Sequence, residues 1–138
     1  MAEFEILDHT ADVKIKAYGG TPEELFESAA VAFFTVIADI EGVREDISYP
    51  ISAEAASLEE LMVSWLNELL YHYEVKRLLL KRFKVSSLNE RSLGATGYGE
   101  RLEPSRHVIH REVKMVTYHQ LKVGRDEGRF FAEVILDL

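Results

Sequence analysis

Cysteine is absent from this 138-residue chain, and proline occurs only three times. Without cysteine the protein has no disulfide, no thiolate metal ligand and no cysteine nucleophile, and the absence suits a reducing compartment. No stretch approaches the roughly 18 consecutive apolar residues that a transmembrane helix requires. The amino terminus also lacks the basic start and apolar core of a secretory signal peptide. We therefore expect a soluble, cytoplasmic protein that does not associate with membranes.

Basic residues are outnumbered, with 16 lysines and arginines against 24 aspartates and glutamates and a net charge of −8. A protein that holds nucleic acid by neutralising phosphates needs a basic surface. We therefore expect no direct binding to nucleic acid, whereas a cation or a basic protein partner fits the charge. Residues 1–138 suffice for a single domain with one core, but are too few for a two-lobed enzyme of the Rossmann size.

Hydrophobic periodicity predicts an α+β fold, in which two main helices pack on a largely antiparallel (mixed) β-sheet. Both helix starts show a capping box, Thr21-Pro22-Glu23-Glu24 and Ser57-Leu58-Glu59-Glu60. In the first helix, apolar residues recur at spacings of three and four, which predicts one buried stripe. Alternating or apolar runs predict strands at residues 4–7, 13–18, 47–55, 78–87, 93–102, 113–123 and 130–138.

Three of these strands carry further information about their surroundings. Pro50 lacks a backbone donor, so its strand belongs at an edge of the sheet. Residues 130–138 are apolar on both faces, which predicts a central strand covered on both sides and joined to 113–123 by a polar turn at 124–128. The glycines of residues 94–99 lack the lysine of a phosphate-binding loop, and therefore indicate a weakened strand or a turn.

Acidic groups near the two ends of the chain form a candidate cation site. The apolar run before the carboxyl terminus would hold the tail in a sheet and fix Asp137 beside the terminal carboxylate of Leu138. Asp12, placed next to them, would raise the carboxylate pKa values unless a cation neutralised the cluster. Oxygen ligands favour a hard divalent cation, calcium before magnesium or manganese. The alternatives are solvated carboxylates, or an Asp12 that only hydrogen bonds within its turn.

The five histidines form no recognisable catalytic motif, and neither HExxH nor GxSxG occurs. We expect His72 to be a partly buried, hydrogen-bonded residue of the second helix. We expect His119 to share a strand face with Met115 and to be structural, and His107 and His110 to lie in a solvated basic loop.

Segments spread over nearly the whole chain resemble the archease family. They are LDHTADVKIKAYG near the start, SLEELMVSWLNELLY in the second helix, and EVKMVTYHQLKV and VILDL towards the end. The typical pattern has alanine at the position of Met115, a change that a strand tolerates. The resemblance implies a non-catalytic activator of the RtcB-type tRNA-splicing RNA ligase, which promotes guanylylation of that ligase and its multiple turnover.

The resemblance also implies the place of a divalent cation. The cation-binding positions of the family map onto Asp12, Asp137 and Leu138, the same groups that the charges bring together. A basic side chain with a helper role maps onto Lys114 or Arg106, and the sequence leaves that choice open.

Two other functions remain as alternatives. One is a stand-alone metal-dependent hydrolase that uses Asp8, His9, Asp12 and His119, and the other is a chaperone-like adaptor. The sequence leaves the oligomeric state open.

Overall fold

The α+β class is confirmed by the computed structural model, which describes residues 2–138. Two helices and seven strands occur in these residues, and all the predicted elements are among them. In chain order they are β1 (Glu3–Asp8), β2 (Asp12–Gly19), α1 (Pro22–Ile37), β3 (Ile47–Glu54), α2 (Leu58–Glu74), β4 (Leu78–Leu88), β5 (Ser92–Arg101), β6 (Met115–Asp126) and β7 (Arg129–Asp137). Neither helix is long and apolar enough to cross a membrane.

Both helices begin where their capping boxes predict. The Thr21 hydroxyl accepts a hydrogen bond from the Glu24 amide at 3.1 Å, and the Ser57 hydroxyl accepts one from the Glu60 amide at 3.2 Å. Each bond satisfies a backbone donor that has no partner within the helix. Local sequence therefore fixes these two boundaries.

The strands form two antiparallel sheets, where periodicity predicts only one. The larger sheet has the order β1-β2-β7-β6, and the smaller has the order β3-β5-β4. The strand that contains Pro50 lies at an edge, and β7 lies inside its sheet, as predicted. The prediction that β7 is covered on both sides is wrong, because Phe131 and Glu133 on the face away from the core are partly exposed. Alternation specifies a strand but not its partner, so the division into two sheets is a tertiary property.

α1 lies between the two sheets and is buried on more than the one predicted stripe. It packs against β2 of the larger sheet and β4 of the smaller one. Ser28, Ala32 and Val36, outside the predicted stripe, are therefore buried as well. The indole of Trp65 on α2 is fully buried and donates to the Phe26 carbonyl at 2.9 Å, which fixes the two helices against each other.

The last hairpin is longer than predicted. Residues 124–126 belong to β6 and pair with β7, so the turn is only Glu127 and Gly128, with φ of 52° and 82°. Positive φ at both positions is typical of the tight turns that match strand twist. Pairing between β6 and β7 is interrupted between Thr117 and Lys122, where Gln120 has a φ of 54°. This bulge bends the outer strand of the larger sheet.

Candidate functional site

Asp12 and Asp137 face each other at one end of the larger sheet, paired in the β2–β7 register. Directly opposed residues of an antiparallel pair have side chains on the same face, with Cβ atoms about 5 Å apart. The amide of the last residue, Leu138, donates to the Ala11 carbonyl at 3.2 Å, so the tail is held beside the turn that precedes Asp12. We call Asp12, Asp137 and Leu138 the acidic corner.

The acidic corner is also held from the other side, by the end of the connection before β6 and by the first residue of β6. The amide of Lys114 donates to the carbonyl of Asp137 at 2.8 Å, and Met115 pairs with Asp137. Asp137 therefore lies between β2 and β6, and Lys114 is next in sequence to Met115, the residue opposite Asp137. Of the two basic residues with a candidate helper role, Lys114 adjoins the corner.

The donors of the acidic corner fit a hard cation. Two carboxylates directly opposed across a strand pair repel each other, and among the ion pairs of residues 2–138 none contains Asp12 or Asp137. The same residues contain no group of three histidine, cysteine, aspartate or glutamate side chains that could hold a metal. A cation here would therefore need a third donor that is not a side chain, and Leu138, next to Asp137 in sequence, carries a terminal carboxylate that is a candidate. An all-oxygen donor set of this kind favours calcium, magnesium or manganese.

The second basic candidate, Arg106, is engaged in a buried cluster that the sequence does not reveal. Glu100 of β5 is 6% exposed and accepts hydrogen bonds from the Arg44 amide at 2.7 Å, from the Arg106 guanidinium and from His107 Nε2 at 3.0 Å. Burial alone would raise the pKa of Glu100, but these three donors, Arg106 first, lower it to about 2. Arg106 therefore binds a carboxylate of the fold, away from the β2–β7 strand end.

His107 is buried, and the prediction that it lies in a solvated loop is wrong. Its Nδ1 accepts from the Glu103 amide at 2.8 Å, so its other nitrogen carries the proton that is donated to Glu100. No periodic pattern marks this contact, because Glu100 comes from a strand and His107 from an irregular segment. The two bonds anchor the start of the connection that leads to the acidic corner.

That connection, residues 102–114, crosses the end of α1 and joins the two sheets. The amides of His110 and Arg111 both donate to the Ile37 carbonyl, at 2.7 and 3.2 Å. The guanidinium of Arg111 then forms an ion pair with Asp8 at 2.9 Å, just before the β1–β2 turn. The segment that carries Lys114 is thus tied to the fold at several points.

The four residues of the hydrolase alternative are not all brought together. Asp8 is paired with Arg111, and the His9 amide donates to the Asp12 carbonyl at 3.0 Å. His119 is exposed, as is Met115, and it lies in the part of β6 where pairing with β7 is interrupted. It lies four residues along β6 from the acidic corner, about 13 Å at the usual rise of a strand.

His72 is buried, as predicted, but the predicted hydrogen bond of its ring is not formed at Nδ1. Its Nδ1 has no hydrogen-bond partner within residues 2–138, and its ring packs edge-on against Tyr49 with centroids 5.2 Å apart. Burial lowers the pKa of His72, because the charged form of the ring is disfavoured away from water. The residue is part of the contact between α2 and β3.

The fold and the acidic corner define a class of small α+β proteins in which a helix packs between two antiparallel sheets and two carboxylates meet at one strand end. The Archease protein family (MTH1598/TM1083) matches residues 4–138, and this chain belongs to that family. "Protein archease" of Methanosarcina mazei is 40% identical over 140 residues, which cover 99% of this chain and 96% of that protein. "Protein archease" of Sulfolobus acidocaldarius is 37% identical over 139 residues, the full length of both proteins.

Two solved structures share the fold. The solution structure of Methanobacterium thermoautotrophicum protein 1598 is 36% identical, with a TM-score of 0.80 and coverage of 98% of both chains. The crystal structure of a Thermotoga maritima protein described as "an archease, possible chaperone" has a TM-score of 0.66 at 22% identity, over 97% of this chain and 96% of that one.

Proposed function

We propose that this protein is a non-catalytic activator of an RtcB-type RNA ligase, acting in the cytoplasm during tRNA splicing. It promotes guanylylation of the ligase and its multiple turnover, and it carries a divalent cation, calcium before magnesium or manganese, at the acidic corner. Membership of the archease family supports this proposal. The observation that carries it is the β2–β7 register, which sets Asp12 opposite Asp137 while Ala11 holds the last residue.

The acidic corner would hold the cation through the carboxylates of Asp12 and Asp137 and the terminal carboxylate of Leu138. A bound divalent cation supplies a compact positive charge that attracts a phosphate or carboxylate of the partner. The residues of the chain itself fix where that charge is presented, because the pairing of β7 with β2 and β6 holds the tail. Lys114, whose backbone amide is bonded to the Asp137 carbonyl, is the basic residue that we propose for the helper role.

The activator acts only if it binds one state of the ligase more tightly than the other. A rigid site suits this role, since a corner held by three neighbouring segments loses little conformational freedom on binding. Direct contact with RNA is not part of the proposal, because the chain is acidic overall.

The decisive experiment measures guanylylation of a purified RtcB-type ligase with GTP, with and without this protein. Asp12→Asn and Asp137→Asn keep the shape of the side chains and remove the charge. We expect each to reduce the stimulation by about tenfold or more, the scale of effects at metal sites. The matched control is Asp126→Asn, which lies at the opposite end of the same β6–β7 pair and should leave the stimulation unchanged.

Titration of the protein alone with calcium, measured by calorimetry, tests binding of the cation independently of binding to the ligase. The wild-type protein and Asp126→Asn should bind calcium, and the two corner variants should not. Full stimulation by both corner variants would remove the acidic corner from the mechanism.

The two alternatives are tested by assays that contain no ligase. A hydrolase would turn over nucleotide or cyclic-phosphate RNA without the ligase. A chaperone, the role that "possible chaperone" suggests for the Thermotoga maritima protein, would suppress aggregation of unrelated unfolded proteins.

A further inference from the structure

A groove follows the solvent-facing side of α1, where neither sheet covers the helix. Three adjoining cavities of about 440, 490 and 410 Å³ form it. Val31 and Lys81 line the first two, and Thr35 and His110 line the last two, so each cavity adjoins the next. We call this feature the α1 groove.

Each side of the α1 groove is the free edge of a sheet. β1 is the outermost strand of the larger sheet, and β4 is the outermost strand of the smaller one. Two side chains of α1 reach these edges at one end of the groove. Ser28 accepts from the Glu3 amide of β1 at 3.3 Å, and Glu27 accepts from the Val85 amide of β4 at 2.9 Å.

These two contacts show which backbone groups face the groove. Amides of a strand alternate between its two edges, so the Glu5 and Leu7 amides of β1 point the same way as that of Glu3. The Phe83 amide of β4 likewise points the same way as that of Val85. α1 satisfies only the first amide on each side, so further along the groove the edges offer the backbone groups to which another strand can pair.

The floor and the rim of the groove have different chemistry. Phe4, Ile6, Val31 and Ile40 give the floor an apolar character. Six carboxylates and three lysines or arginines line the three cavities. Arg82 forms an ion pair with Glu45, and Arg111 forms one with Asp8. Of the charged groups that line the cavities, four carboxylates and one cation, Lys81, then remain. On the outer face of β1, the exposed carboxylate of Glu3 is paired with Arg129 at 2.7 Å, and the exposed carboxylate of Glu5 forms no ion pair among residues 2–138 and accepts only from the Tyr18 hydroxyl.

We propose that the α1 groove binds an extended protein segment in which apolar residues alternate with lysine or arginine, and which pairs with the free edge of β1. In such a segment, alternate side chains point to opposite faces of the sheet. The apolar set would lie on the floor over Val31, and the cationic set would face Glu5, the carboxylate of the outer face of β1 that no ion pair occupies among residues 2–138. This interaction is separate from the acidic corner and requires no cation.

The test uses the isotope-labelled full chain and a ten-residue peptide of alternating valine and lysine, followed by NMR. We expect binding to shift the amides of Glu5, Leu7 and Phe83, which line the groove, and to slow hydrogen exchange of the Glu5 and Leu7 amides, which pair with the peptide. A valine–glutamate peptide of the same length should bind at least about tenfold more weakly, because it meets carboxylates on the rim. Equal binding of the two peptides, or shifts confined to the β6 edge around Tyr118, would overturn the proposal.

Two variants test the groove itself. Val31→Lys places a charge on the apolar floor, and Leu7→Pro removes a groove-facing amide while leaving the bonds between β1 and β2. Each should weaken the valine–lysine peptide by about tenfold, or about 1.4 kcal/mol. The control Asn67→Lys adds the same positive charge as Val31→Lys at an exposed position of α2, and it should leave the affinity unchanged. Unaltered affinity in both groove variants would refute the proposal, as would self-association of the chain through these amides without peptide. None of these measurements involves the ligase, so they are independent of the proposed activation.

Discussion

Replacing Glu100 by glutamine should destabilise the fold in a way that depends on pH. The carboxylate of Glu100 is buried and accepts from the Arg44 amide, Arg106 and His107. Those donors lower its pKa from 4.5 to about 2 against the opposing effect of burial. A difference of about 2.5 units at 1.36 kcal/mol per unit gives roughly 3 kcal/mol. Because the Arg106 side chain is 34% exposed, solvent screening reduces this to about 2 kcal/mol.

The sign of the pH dependence follows from the direction of the shift. A carboxyl with a lowered pKa in the folded state stabilises the fold fully above its unfolded pKa of about 4.5. The contribution is lost as the pH falls from there towards about 2. The difference in stability between wild type and Glu100→Gln should therefore be largest near pH 7 and shrink steadily below pH 4.5.

Urea unfolding at pH 7, 5, 4 and 3, followed by Trp65 fluorescence and circular dichroism, measures this difference. The matched control is Glu90→Gln, which removes an exposed carboxyl that has no hydrogen bond or ion pair among residues 2–138. We expect the control to change stability by less than about 0.5 kcal/mol at every pH. A loss in Glu100→Gln that is equally large at pH 7 and pH 3 would show that packing, and not the charge of Glu100, stabilises the cluster.

Two further predictions concern stability. The wild-type protein should lose stability as the pH falls from 7 to 5, because burial lowers the pKa of His72 and the unfolded chain is therefore protonated at a higher pH than the folded one. His72→Phe should remove part of this loss. Urea unfolding at the two pH values measures the loss, and an unchanged loss in the variant would contradict the prediction. Gly99→Ala should cost at least about 3 kcal/mol, because a Cβ there would lie 1.9 Å from the carbonyl oxygen of Leu79. A thermal melt measures the effect, and Gly42→Ala, whose Cβ would meet nothing within 4 Å, is the control.

Local sequence determined the elements of this protein and most of their ends. The capping residues Thr21 and Ser57 act over three or four positions, so the helix starts need no distant partner. Pro50 likewise predicts an edge strand from a single residue, because it lacks the backbone donor that an inner strand uses. The apolar residues before Asp137 also predicted that the tail is held in a sheet, which brings it into pairing with β2 and β6.

Tertiary structure decided which strands pair, and therefore which side chains meet. Alternation predicts that a residue faces the core but does not specify the strand beside it, so the two sheets and the burial of α1 between them could not be read from periodicity. The cluster of Glu100, Arg106 and His107 depends on a chain crossing between the sheets, which leaves no periodic signal. The meeting of Asp12 and Asp137 was suggested by charge and by family resemblance, yet only the register of β2 against β7 places them directly opposite each other.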